Sequence, residues 1–219
     1  MLAFLKKRRQ EKGDTLIEVL FAVTVFSLIV VAALNVMNQG IATSQRALEI
    51  TTVRQQMDGQ AEALRFLHES YVAAYTSGIT YDTTDAISSP AEEYYKIIQF
   101  AQSGGLTSAS QFGGNSPCVV PPDTTKDFIV NPVSATLVTN VTNPGVFKTA
   151  TTYAQLTYTA PNGGILKNSE GIWIEPIRSP TNGTNPGYID FHIRACWNAA
   201  GLSAPLNLGT IVRLYDPRG

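Results

Sequence analysis

Residues 12–37 read KGDTLIEVLFAVTVFSLIVVAALNVM: a lysine and a glycine, a short polar opening that ends in Glu18, then a run with no charged side chain before Arg46. At 1.5 Å per residue, a helix over 16–37 is long enough to cross a hydrocarbon core of about 30 Å. The hydroxyls of Thr24 and Ser27 can bond back to carbonyls of their own helix. Glu18 stands near the start of this span. An ionisable group there is costly in lipid, so it either marks the headgroup boundary or requires a partner.

Upstream, residues 1–13 carry Lys6, Lys7, Arg8, Arg9 and Lys12 against a single Glu11. The positive flank is expected to stay cytoplasmic and to direct the rest of the chain outward. An ordinary secretory signal also opens basic, but its cleavage site follows a shorter apolar region. Here a glycine precedes the apolar run instead.

Lys12-Gly13 followed by Asp14-Thr15-Leu16-Ile17-Glu18-Val19-Leu20 resembles the processing site of a type IV prepilin. The resemblance covers about the first third of the chain. It implies cleavage after Gly13 by a membrane-bound prepilin peptidase, N-methylation of the new terminus at Asp14, and a role in assembly for Glu18, the glutamate at the fifth mature position. It also implies an inner-membrane precursor whose apolar helix later packs with other pilin subunits in an extracellular filament. Two positions depart from the family's habit: Asp14 stands where Phe is usual, and Asn35 where many major pilins have Pro. The expected protein is a structural subunit, a minor pilin rather than a major one. A type II secretion pseudopilin and a monomeric membrane-anchored adhesin share parts of the pattern.

Beyond the span the helix is expected to continue to residue 77. Ile50, Val53, Met57, Ala61, Leu64, Leu67, Tyr71 and Ala74 recur at three- and four-residue steps, while Thr51, Arg54, Gln55, Asp58, Glu62, Arg65 and Glu69 take the opposite face. No proline interrupts 14–77, and Gly78 is placed to end the helix. A helix of this length measures about 95 Å, so its second half must find protein to pack on. His68 lies at the edge of the stripe and reads as a surface residue.

Residues 78–219 form the head. Ser89-Pro90-Ala91-Glu92 reads as a capping box with a first-turn proline, opening a helix that buries Tyr94, Ile97, Ile98 and Ala101 and stops before Gly104-Gly105. Strands are expected at 128–130, 135–141, 153–159, 171–177, 188–197 and 210–215. In 188–197, Ile189, Phe191, Ile193, Ala195 and Trp197 share one face, directed at the long helix, and Tyr188, Asp190, His192, Arg194 and Cys196 the other. Val212 and Leu214 extend the first face if the last strand pairs there. The fold class is α+β: a long N-terminal transmembrane and amphipathic helix, 14–77, packed on an antiparallel β-sheet head.

The 219 residues carry a formal net charge of −1 and only 15% charged residues, which argues against a nucleic-acid partner held by bulk electrostatics. Cys118 and Cys196 are the two cysteines, both in the part expected outside the cytoplasm, and a disulfide between them is the natural reading. They lack the histidines of a zinc site, and Asp82 and Asp85 lack the spacing of a calcium loop, so no metal or other cofactor is expected. Asp190, His192 and Arg194 on one strand face have no nucleophile or phosphate loop beside them, and catalysis is not expected. Trp173 and Trp197 read as core residues rather than a sugar platform.

Overall fold

The computed structural model describes residues 14–78, 89–103, 127–159, 164–179 and 187–217. Two helices, α1 (Asp14–Thr76) and α2 (Pro90–Ser103), precede eight strands: β1 (Phe128–Asn131), β2 (Thr136–Thr139), β3 (Phe147–Lys148), β4 (Gln155–Tyr158), β5 (Leu166–Glu170), β6 (Ile172–Ser179), β7 (Tyr188–Trp197) and β8 (Leu206–Tyr215). The chain is α+β, with a long N-terminal apolar helix and an antiparallel sheet. It divides between Gln45 and Arg46 into two compact units, so the later part of α1 belongs to the same unit as the strands.

In the first unit α1 exposes its apolar side chains all round, among them Leu16, Phe21, Phe26 and Leu28. Thr24 Oγ1 donates to Phe21 O and Ser27 Oγ to Val23 O, which satisfies both hydroxyls within the helix. Gly78 closes the C-terminal end with φ +70°, the left-handed conformation that glycine adopts without a Cβ clash.

In the second unit, strands run in the order β2-β1-β6-β7-β8 in one sheet and β3-β5-β4 in a smaller one. Val53, Met57, Ala61, Leu64, Leu67 and Tyr71 of α1 are buried in one cluster with Ile189, Phe191, Ile193, Ala195 and Trp197 of β7. The expected pairing places Val212 opposite Phe191 and Leu214 opposite Ile189. Helix α2 adds Tyr94, Ile97, Ile98 and Ala101. Rings link the layers: Tyr71 to Tyr94 at 5.3 Å, Tyr94 to Phe191 at 6.4 Å, and Phe191 to Phe128 at 6.0 Å between centroids. Burying each large apolar side chain contributes about 1.5–3 kcal/mol relative to exposure. The capping box of α2 is present, with Glu92 N–H donating to Ser89 Oγ and Ser89 N–H to Glu92 Oε2.

Strand boundaries differ from expectation for local reasons. β2 starts at Thr136 because Ala135 takes φ +53° in the preceding turn. It stops at Thr139, where Thr139 and Thr142 exchange hydrogen bonds and Asn143 N–H turns back to Thr139 O. β4 is confined to Gln155–Tyr158, and β8 starts four residues earlier than expected, at Leu206. The expected strand 171–177 begins one residue late because Gly171, at φ +69°, is a corner between β5 of the small sheet and β6 of the large one.

Polar groups on the helices complete the strands. β1 pairs with β6 only through Phe128 and Ile174. Where the two part, Val130 N–H donates to Gln60 Oε1 at 2.9 Å and Gln60 Nε2 donates to Val130 O at 2.7 Å. One turn earlier, Gln56 Oε1 accepts from Leu156 N–H of β4 at 2.6 Å. His68 is half-buried rather than a surface residue, with Nε2 2.8 Å from Tyr215 O and its ring against Tyr94.

Two substitutions test this arrangement. Gln60→Met keeps the shape but strands both Val130 backbone groups, and it should cost about 2–4 kcal/mol in chemical denaturation, against under about 0.5 kcal/mol for exposed Gln55→Met. Gly171→Ala puts a Cβ into Cys196 O and forces alanine into the left-handed region. It should destabilise by about 3 kcal/mol or more, measured in the same way.

Candidate functional site

Asp14 is the first residue of α1, and Gly13 lies outside the described residues. Glu18 follows one turn into the helix and is exposed, flanked by Ile17 at 69% and Val19 at 61% exposure. The helix that starts here is long and apolar enough to cross a membrane, and no residue of its most apolar window is buried within the chain. Apolar side chains all round a helix require lipid or other apolar helices, because water on every face would cost the whole hydrophobic gain. A carboxylate in that setting is stabilised only by a cation or by reaching the headgroups.

Cys196 is buried and disulfide-bonded. Cys118, its expected partner, lies outside the described residues, as do Asp82 and Asp85.

The back of the large sheet holds the cluster that most resembles a catalytic set. It is assembled by strand register: Asp190 of β7 lies opposite Arg213 of β8, and His192 opposite Glu175 of β6. Arg213 donates to both carboxylate oxygens of Asp190, each at 2.7 Å, and its guanidinium sits 4.0 Å from the Tyr188 ring centroid. Arg194 donates to Glu175 Oε2 at 3.2 Å, and Trp173 Nε1 to Glu175 Oε1 at 2.7 Å. Asp190, His192 and Arg194, on the strand face away from the long helix, are therefore half-buried and Asp190 and Arg194 are cross-linked to neighbouring strands, and the adjacent Trp173 and Glu175 are buried. Each acid faces a base in a fixed pair, the geometry of sheet stabilisation. The bidentate partner raises the Arg213 pKa further above its usual range.

His192 is set apart. Burial lowers its pKa below the usual histidine value, and Arg194 adds to this, while Asp190 and Glu175 pull the other way. Among the described residues, no group of three His, Cys, Asp or Glu side chains could hold a metal ion. Trp197 is buried and donates Nε1 to Glu49 Oε2 at 3.0 Å, a core role like that of Trp173.

The polar residues whose structural roles the sequence pattern hides are Gln56, Gln60, Glu93 and Glu175. Glu93, 5% exposed, accepts from Leu137 N–H of β2 at 2.6 Å and from Lys96 Nζ at 2.8 Å. Gln56 and Gln60 are four residues apart beside the apolar stripe, a spacing that reads equally well as a solvated flank and so does not mark them.

No family model matches this chain, and no curated protein or solved structure matches it.

The depressed pKa of His192 has a signed consequence. Between the unfolded and folded pKa values the unfolded chain binds more protons, so stability falls as pH drops below about 6.5 and levels off once the folded pKa is passed. Melting temperatures of the wild type and His192→Gln from about pH 7.5 to 5 should show a shallower decline in the variant. Parallel curves would mean that His192 does not carry this part of the acid sensitivity.

Proposed function

We propose that the chain is a prepilin-like precursor, held in the inner membrane by α1, cut after Gly13 by a prepilin peptidase, and built through its helix into a type IV pilus-like filament with other pilin subunits. The observation that carries this reading is the conjunction of Gly13, Asp14 and Glu18 with the start of an apolar helix that is left uncovered among the described residues. An anchor alone requires the span but not a glycine five residues before a carboxylate. The head's work on this reading is display on an extracellular fibre, and it is structural rather than catalytic. The irregular, two-sheet head favours a minor subunit over a major one.

The mechanism follows from charge. Cleavage frees the amine of Asp14, and bundled helices bring it to Glu18 of a neighbouring subunit, so that two groups costly in an apolar core neutralise each other. Removing one partner of a buried pair typically costs about 3–5 kcal/mol, enough to decide whether a subunit enters the bundle. The carboxylate of Asp14 supplies a second, local countercharge to its own amine.

Intact mass and N-terminal peptides of protein from cells that express a prepilin peptidase should show a chain that begins at Asp14. A leader still attached in assembled material would overturn the proposal.

Glu18→Ala should insert into membranes as the wild type does, because it removes a carboxylate from the span and leaves the leader charges intact. It should be reduced about tenfold or more in sheared filaments, and Asp14→Phe added to it should lower incorporation further. Wild-type filament levels for Glu18→Ala would reduce Glu18 to a helix-end marker.

A further inference from the structure

Asp216 N–H donates to Gly187 O at 2.7 Å, which fixes the parity of β8: even-numbered residues turn their backbone groups to β7, odd-numbered ones to the sheet's outer edge. At one end of that edge His68 is bonded to Tyr215 O, and at the other Asn207 has an interaction of its own. Between them Gly209, Ile211 and Arg213 present three N–H and three C=O groups that have no partner among the described residues. All three residues are exposed.

Elsewhere the fold covers such groups. Glu93 caps the outer side of β2 at Leu137, and Gln60 fills the gap beside β1 at Val130. β8 has little of the usual protection along its middle: its ten pairs with β7 run without a bulge, it contains no proline or lysine, and its one charged side chain, Arg213, is held by Asp190. We propose that this edge is a strand-addition site, where an extended, uncharged segment of a different protein pairs with Gly209, Ile211 and Arg213.

The occupant follows from chemistry. Alternating donors and acceptors at strand spacing are complemented by another extended backbone. A hollow of about 290 Å³ between α1 and β8, lined by Arg54, Met57 and Asp58, opens at Gly209 on one face of the edge. One of about 310 Å³, beside His192, Arg194 and Ile211, opens there on the other. Consecutive side chains of an added strand point to opposite faces, so one enters each hollow. The surrounding charges are balanced: Arg213 is paired with Asp190, Arg194 with Glu175, and Arg54 lies one turn from Asp58. A charged side chain on the partner would therefore meet both signs in equal number and gain no net attraction, which favours small or β-branched neutral residues.

A second copy of β8 could pair antiparallel about Ile211, but α1 runs alongside β8 in the same direction, with Arg54 beside Gly209 and His68 beside Tyr215. Antiparallel copies would then begin the buried stretch of α1, at Arg46, from opposite ends of the pair, whereas two chains anchored in one bilayer are expected to begin it from the same side. This exclusion of self-pairing rests on the membrane span; the open edge itself does not depend on the proposed processing.

The test uses the full chain in detergent and a capped seven-residue peptide of alternating Thr and Val, with a form N-methylated on alternate amides as control. Residue-resolved hydrogen exchange should slow about tenfold or more at Gly209, Ile211 and Arg213 with the plain peptide only. Ile211→Pro removes an outward N–H and leaves the β7 ladder whole, so it should melt within a few degrees of the parent yet show no protection at Gly209 and Arg213. Unchanged exchange, or equal protection by the N-methylated peptide, would overturn the site. Protection without peptide that grows with protein concentration would assign the edge to a second copy and overturn the proposed partner. Cleaved and uncleaved chain serve equally, so failure here is distinct from failure of the processing proposal.

Discussion

A helix laid on a sheet can cover apolar side chains, but its own backbone is already hydrogen-bonded and has nothing to offer a strand that lacks a neighbour. Gln60 resolves this for β1, because its amide carries a donor and an acceptor side by side, as a strand backbone does, and meets both groups of Val130. Without it, β1 would leave two unpaired groups in a buried region just where it separates from β6, and leaving even one unmade costs about 1–3 kcal/mol. The second glutamine, Gln56, does half the same work for β4. Two residues one turn apart thus tie both sheets to α1. The helix is a structural part of the head and not merely the strut that carries it.

The same accounting of backbone groups explains why the head has two sheets. Gly171 N–H donates to Lys148 O, Ser169 N–H to Val146 O, and Cys196 N–H to Gly171 O, so the corner between β5 and β6 is bonded on both sides. Only glycine holds that corner, since any Cβ would meet the Cys196 carbonyl. The corner and the disulfide-bonded Cys196 are therefore one locus, where the small sheet, the large sheet and the covalent cross-link meet. β8, at the other side of the large sheet, has His68 at Tyr215 but no comparable side chain or corner, among the described residues, along Gly209 to Arg213 of its outer edge.

What could be read from the sequence was what repeats. The stripe from Val53 to Tyr71 and the alternation of Ile189, Phe191, Ile193, Ala195 and Trp197 are periodic over several turns or residues, and both lie in the core. Gln60 could not be found this way, because a buried glutamine interrupts the apolar pattern and its value depends on a strand 70 residues away. β5, with the sequence LKNSE, has one apolar residue, and it is a strand because β3 and β4 pair on either side of it before Gly171 passes the chain on to the large sheet. Asp190 and Arg194 were legible as a row of polar residues. Their partners Arg213 and Glu175 depend on strand register, which a loop of uncertain length does not fix.

The change in character along α1 constrains what surrounds it. From Leu16 to Met37 the helix has no polar face for water, and Glu18 is the lone charge; Asn38 to Gln45 is mostly polar but uncharged, and from Arg46 the charges return on one side while the other is buried by strands. A helix with a single burial stripe needs one partner, and the head supplies it. A helix apolar on every side is satisfied only by a medium that surrounds it, and lipid or a bundle of like helices are the two that can. They differ at one residue: lipid leaves Glu18 seeking the headgroups, whereas a bundle can offer it a cation within the apolar region. Glu18 is thus the charged position at which lipid and a bundle differ, and which of the two suits this helix better turns on what lies opposite its carboxylate.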